Sequence, residues 1–281
     1  MTVKELLTEG KTILKNSNVE NYSNEARWIF ESVFDCKSDY TVLHSDDIAD
    51  AEMSENFLKK IKERVSGTPV QYVIGKWDFY GEELFVGEGV LIPRPETELL
   101  VDYAVDYLKT KHNPVVFDLC SGSGCIGLTV ARLIPESKVY LIEKSDDAMK
   151  YLVANKNKSR LDNVVIISGD IFDGFESFGI PEPDLIISNP PYINSDEIQS
   201  LQSEVLKEPV MALDGGIDGL DFYKAIADGW LNLCKGSVAV ECGEGQAESI
   251  KRLFSIHCSE TFSISDFNGI ERVVVGRKDI K

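Results

Sequence analysis

The chain has 281 residues, 43% of them hydrophobic, and a formal net charge of −18. That is apolar enough for a packed core, and the acidity, spread along the whole chain without a Lys/Arg cluster, weighs against gripping a long polyanion. No stretch reaches the ~18 uninterrupted apolar residues of a membrane span, and six cysteines without C-x-x-C spacing beside three histidines give neither a disulfide framework nor a metal site.

The N-terminus, MTVKELLTEGKTILKNS, has no continuous apolar core of a secretory signal and reads as an amphipathic helix, so a cytoplasmic protein is expected. Thr2 and Glu5 fit a capping box. Val3, Leu6, Leu7, Ile13 and Leu14 then share one stripe. A second helix carries Ala26, Ile29, Phe30, Val33 and Phe34, and a third Phe57, Leu58, Ile61 and Val65. Helices this short need one another, so residues 1–70 are expected to form a small bundle. From Gln71 to Ile92 the chain is rich in Tyr, Val, Phe and Trp and broken by glycines. This is hairpin composition, and residues 71–95 are assigned to a β-hairpin linker. Glu96-Thr97-Glu98 opens the next helix.

Beyond residue 115 short apolar runs alternate with helical stretches. Strands are expected at 115–119, 138–142, 164–168, 184–188 and 237–241, with an antiparallel pair at 262–265 and 272–276. The helices between them fall near 126–133, 146–156, 220–233 and 246–255. Strands alternating with helices predict a mostly parallel sheet covered on both faces, so residues 96–281 read as one α/β domain.

The first strand runs into Asp118-Leu119-Cys120-Ser121-Gly122-Ser123-Gly124 and then a helix. Glycines at that place let the backbone turn sharply and come close to a ligand. Asp118 stands where its carboxylate can receive a ligand ammonium, directly or through water. Glu143 ends the second strand, where an acidic residue accepts ribose hydroxyls. The run from Gly122 also satisfies a dinucleotide pattern, so the loop alone leaves NAD and S-adenosylmethionine both open. Asp118, together with Gly169-Asp170-Ile171 after the third strand, favours the latter: a carboxylate there reaches an adenine amine while an apolar neighbour packs on the ring.

The fourth strand ends in Asn189-Pro190-Pro191-Tyr192, beyond the carboxyl end of the sheet where ligands of such folds bind. Two prolines stiffen the turn and remove two N–H donors. The Asn189 side-chain oxygen and the Pro190 carbonyl can both accept hydrogen bonds from one NH2 group, and Tyr192 can pack on the planar group bearing it. An amide nitrogen is a poor nucleophile, and two acceptors on its hydrogens orient it and favour pyramidalisation. The chemistry implied is methyl transfer to a planar nitrogen, with the tetrapeptide holding the acceptor and no strong base. Amide and nucleobase acceptors both remain open on the tetrapeptide alone.

The order of motifs resembles the protein-(glutamine-N5) methyltransferases that modify peptide-chain release factors. The matching segments are Pro69-Val70-Gln71-Tyr72-Val73-Ile74-Gly75, Leu91-Ile92-Pro93-Arg94-Pro95-Glu96-Thr97-Glu98, the glycine loop, Asn189–Tyr192, Leu213-Asp214-Gly215-Gly216 and Asp266-Phe267-Asn268-Gly269 before Arg272. The tetrapeptide is shared with adenine-N6 DNA and some guanine-N2 RNA methyltransferases; the segment around Pro93–Glu98 is more specific. The resemblance implies a Rossmann-like methyltransferase domain preceded by a helical bundle and a hairpin. It also implies S-adenosylmethionine as cofactor and the glutamine of a release-factor Gly-Gly-Gln motif as substrate. By the same resemblance Asn189, Pro190, Pro191 and Tyr192 bind the amide. Asp118, Cys120, Ser121, Gly122, Ser123, Gly124, Glu143, Asp170, Ile171 and Asn189 surround the cofactor, and the bundle helps to seat the release factor. A monomer that contacts neither membrane nor nucleic acid is expected. Three departures stand out. Cys120-Ser121 replaces a usual Gly-Thr, suggesting that the first residue of the loop need not take a positive φ; Glu143 stands where Asp is commoner; and Ile171 stands where an aromatic ring is common.

Overall fold

The computed structural model describes residues 1–278; the last three residues of the 96–281 assignment lie outside the described residues. The chain divides into two compact units, Met1–Lys76 with Gln202–Lys207, and Trp77–Leu201 with Glu208–Lys281. The sequence-based boundaries, at 70 and 95, did not foresee the return of 202–207 to the first unit.

The first unit contains α1 (Val3–Asn16), α2 (Tyr22–Phe34), α3 (Tyr40–Leu43), α4 (Ala51–Val65) and α5 (Val70–Ile74). The capping box forms: Thr2 Oγ1 accepts the Glu5 N–H at 3.2 Å while Glu5 Oε2 accepts the Thr2 N–H at 2.9 Å. Leu6, Leu14, Ile29, Phe30, Phe57 and Ile61 form the core, with Phe30 and Phe57 edge to face at 5.6 Å. The buried Arg64 guanidinium donates to Glu25 Oε2 at 2.5 Å and also to Glu204, in the returning segment. A charge buried this deeply needs such pairing.

The expected hairpin is shorter than the sequence suggested. Val70–Ile74 is a helical turn, closed by Gly75 in the left-handed region, and only β1 (Lys76–Phe79) and β2 (Glu82–Phe85) pair as strands. Tyr72 and Val73 looked like strand residues because aromatic and β-branched side chains suit a half-buried turn of helix as well as a strand. Next come α6 (Glu98–Leu108), β3 (Val115–Leu119), α7 (Cys125–Leu133), β4 (Lys138–Glu143), α8 (Asp146–Ser159), β5 (Val164–Ser168), β6 (Leu185–Ser188), α9 (Asp221–Gly229), β7 (Ser237–Glu241), α10 (Ala247–Phe254), β8 (Glu260–Ser265) and β9 (Glu271–Arg277).

Seven of these strands form one sheet in the order β5-β4-β3-β6-β7-β9-β8, parallel except for β9 and β8. The central strands β3, β6 and β7 are buried along nearly their whole length because both faces are covered there. Val116, Val139, Leu141 and Ile187 face α6 and α7, while Phe117, Leu119, Ile186 and Val240 face α9, α10 and Trp230. Strand order reverses between β3 and β6, so a crevice opens beyond their carboxyl ends, where ligands of open α/β sheets bind.

Candidate active site

The loop after β3 and the turn after β6 meet at that crevice. Cys120, Ser121, Gly122 and Ser123 form one wall of a cavity, Glu143, Asp170 and Ile171 a second, and Asn189 and Pro191 a third. Asp118, Gly124, Pro190 and Tyr192 stand outside the wall itself. The segment leading to α6 closes the cavity through Leu91, Pro93 and Thr97. That segment is braced by Glu208, which is 4% exposed, accepts the Ile92 N–H at 3.0 Å and pairs with Arg94.

Two expectations need correction. Cys120 has φ 59°, in the left-handed region with Gly122 and Gly124, so the loop requires that conformation at its first residue although the residue is not glycine. Such a φ costs a side-chain-bearing residue of order 1 kcal/mol, which the surrounding packing must hold. Asp118, read as meeting a ligand ammonium, is fully buried beneath the loop. Its Oδ2 accepts the Gly127 N–H of α7 at 2.9 Å, and Oδ1 has no hydrogen-bond partner. Burial pushes this carboxyl up to about 8, against the Gly127 hydrogen bond and with help from the Glu143 charge.

Glu143, at the end of β4, is held from both sides. Oε2 accepts the Gly122 N–H and Oε1 the Ser145 N–H, each at 2.7 Å. Each carboxylate oxygen keeps a second lone pair for a ligand hydroxyl. Asp170 caps the turn Ile171–Asp173, accepting the Phe172 N–H at 3.1 Å, and its other oxygen pairs with Lys144 at 2.7 Å. Trp230 anchors this corner by donating its indole N–H to the Ile171 carbonyl at 2.8 Å. The aromatic surface missing at Ile171 stands one residue further on: Phe172 is half-exposed at the rim, edge to face with Phe222 at 5.0 Å.

The tetrapeptide rests on Thr97, from the Pro93–Glu98 segment, and on Glu241, which no motif contained. Asn189 Nδ2 donates to Thr97 Oγ1 at 3.2 Å, and Thr97 Oγ1 donates to Glu241 Oε2 at 2.6 Å. Tyr192 donates its hydroxyl to Glu241 Oε1 at 3.4 Å. Glu241 ends β7 and is 3% exposed; burial pushes its carboxyl up to about 7, opposed by the Thr97 hydrogen bond. The sequence did carry a signal for it, an acidic residue closing an apolar strand just as Glu143 does. The Leu213–Gly216 motif lies along the other flank: the Gly215 N–H donates to Ile193 O at 2.8 Å and the Ile193 N–H to Leu213 O at 2.9 Å. Among the described residues no group of three or more His, Cys, Asp or Glu could hold a metal ion, and no helix is long and apolar enough to cross a membrane.

Comparison with known proteins agrees with this geometry. The PrmC N-terminal domain model matches residues 5–75 and the Methyltransferase small domain model residues 96–216. The release factor glutamine methyltransferase of Thermodesulfovibrio yellowstonii is 38% identical, with 81% of this chain and 83% of that protein covered. The enzyme of the same name from Clostridium acetobutylicum is 34% identical with 98% of each chain covered. In fold, the hMettl16 catalytic domain, solved in complex with MAT2A 3'UTR hairpin 6, is similar at a TM-score of 0.58 and 14% identity, covering 80% of this chain and 81% of that one. With relatives of one name matched over most or nearly all of their length, the chain belongs to the release factor glutamine methyltransferase family.

Proposed function

We infer that this protein methylates the side-chain amide nitrogen (N5) of the glutamine in the Gly-Gly-Gln motif of peptide-chain release factors, with S-adenosylmethionine as donor. The observation that carries this reading is an Asn-Pro-Pro-Tyr turn that puts Asn189 and Pro191 on the cavity wall of a chain whose relatives are named for acting on release factors. The donor's chemistry suits the residues present. Asp118 lies beneath the loop and ties it to α7 through the Gly127 N–H, so it acts on the donor only through the loop. Glu143 takes the ribose hydroxyls. Asp170 takes the adenine amine, sharing an oxygen with Lys144, and Ile171 packs on the ring. The loop residues Cys120–Gly124 approach the donor with their backbone. When bound, the donor supplies an electrophilic methyl on a sulfonium.

The chain's own task is orientation. Asn189 Oδ1 and the Pro190 carbonyl accept the two amide hydrogens, which fixes the nitrogen and favours a pyramidal geometry. Pro191 stiffens the turn, and Tyr192 covers the amide plane. Proximity and orientation of this kind supply ~7–11 kcal/mol at best. The nitrogen loses its proton only once methylation has made it acidic, so no general base is required. The first unit helps to seat the release factor, a role supported by the match to an N-terminal domain model and by its exposed Val42, Leu43 and Ile48. The protein works in the cytoplasm as a monomer.

Incubation with labelled S-adenosylmethionine and a release factor should add the mass of one methyl group to the Gly-Gly-Gln glutamine. Label found in RNA and not in the release factor would reverse the assignment. For the donor site, Glu143→Ala is expected to raise the Kd for S-adenosylmethionine by about 10–100-fold, the loss of two charge-assisted hydrogen bonds. Calorimetry giving an unchanged Kd would remove Glu143 from the ribose site.

A further inference from the structure

We propose that Thr97 and Glu241 are positioning residues that turn the Asn189 amide so that its oxygen, and not its NH2, faces the substrate nitrogen. The proposal rests on the placement of the substrate amide on Asn189. An asparagine side chain presents an acceptor at one end of its amide and two donors at the other, and nothing in the residue itself chooses between them. Here only the acceptor is useful, because the substrate NH2 brings hydrogens of its own. An Asn189 turned the other way would set donor against donor and push the glutamine nitrogen out of line.

The choice is made three residues deep. Glu241 is 3% exposed and Thr97 1% exposed, so neither can exchange its partner for water. While Glu241 is ionised it accepts only, so the Thr97 hydroxyl then spends its one hydrogen on Glu241, at 2.6 Å. What remains on Thr97 Oγ1 is lone pairs, and these take the Asn189 NH2 at 3.2 Å. The Asn189 oxygen is thereby left for the cavity, whose wall Asn189 and Thr97 both form. The Tyr192 hydroxyl donates to the other Glu241 oxygen at 3.4 Å, so one buried carboxylate orients both ends of the tetrapeptide. Glu241 is itself fixed by its strand: β7 pairs with β6, which leads directly into Asn189, and with β9, where Glu241 lies opposite Val273. The Tyr223 hydroxyl donates to the Glu241 carbonyl at 2.8 Å, closing the corner.

The arrangement has a consequence that simple packing lacks. A side chain of the shape of threonine but without the hydroxyl should leave the fold and the donor site in place and still slow the chemistry. Thr97→Val is therefore expected to lower kcat for release-factor methylation by about twentyfold or more. Its Kd for S-adenosylmethionine, read by calorimetry, should stay within about threefold of wild type. Thr97→Ser, which keeps the hydroxyl and loses the methyl, should recover kcat to within about threefold of wild type. If the valine variant does not melt cooperatively, Thr97→Ala against Thr97→Ser makes the same comparison without the added methyl. Wild-type kcat in Thr97→Val would overturn the proposal, as would a serine variant as slow as valine or a loss of donor affinity matching the loss of kcat. Asn189→Ala, run beside them, separates two failures: if it is slow while Thr97→Val is fast, the amide site stands and only the orienting chain falls; if it too is fast, the amide site itself is wrong.

Discussion

Asn189→Ala is expected to lower the turnover of release-factor methylation by about 10²–10³-fold, the scale on which a single preorganised hydrogen-bonding group contributes. The cofactor Kd should change by less than about threefold. The asymmetry follows from where the residue sits. Asn189 forms the third wall of the cavity, while the loop after β3 and Glu143 form the walls assigned to the donor. Removing the side chain takes away one of two acceptors for the glutamine amide and leaves the Glu143 brace at Gly122 and Ser145 untouched. An effect confined to kcat marks an interaction made in the transition state. Single-turnover methyl transfer, with cofactor affinity measured by calorimetry on the same preparation, checks both halves. Near-normal turnover would mean that the amide is held elsewhere.

Gly215→Ala should be nearly as damaging, although residue 215 touches neither donor nor substrate in the proposed arrangement. A Cβ there would lie 2.7 Å from Tyr192 Cα and 2.9 Å from both Pro191 O and Tyr192 C. All three are backbone atoms of the tetrapeptide, so no side chain can swing aside to make room. The turn has to shift, and displacements approaching an ångström at a positioning group cost about 10² in rate. Strain from overpacking is typically ~1–3 kcal/mol, which in a protein of this length lowers Tm by roughly 2–5 °C. Circular dichroism melts and the methylation rate give the two readouts. An alanine variant with wild-type rate would show the Leu213–Gly216 segment to be slack against the turn.

Much of this architecture is written in the local sequence, and the reasons are specific. Strands β3 to β7 were readable because both sheet faces are buried, so each is an apolar run between turn residues, and Glu143 and Asn189 then fall at strand ends where ligands bind. What escaped reading depends on distant partners. Thr97 and Glu241 are 144 residues apart, and only the sheet brings their side chains together. Asp118 looked like a ligand-facing carboxylate because position along a strand does not reveal which way a side chain points; its alternation with Phe117 and Leu119 turns it under the loop, toward α7. At Cys120 the absence of glycine suggested an ordinary φ, yet the loop geometry overrides residue preference.

The return of Gln202–Lys207 to the first unit bears on the order in which the protein is made. Arg64 and Glu25 are both available once α4 has been synthesised, but Glu204 follows Arg64 by 140 residues. At ~5–20 residues per second, the first unit waits roughly 7–30 s on the ribosome with one arm of a buried guanidinium lacking its carboxylate. A fragment ending at Lys76 would be held permanently in that state, so its folding on its own cannot be equated with its folding in the whole chain. Completion of the helical unit is thus coupled in time to synthesis of the segment that follows the Asn-Pro-Pro-Tyr turn.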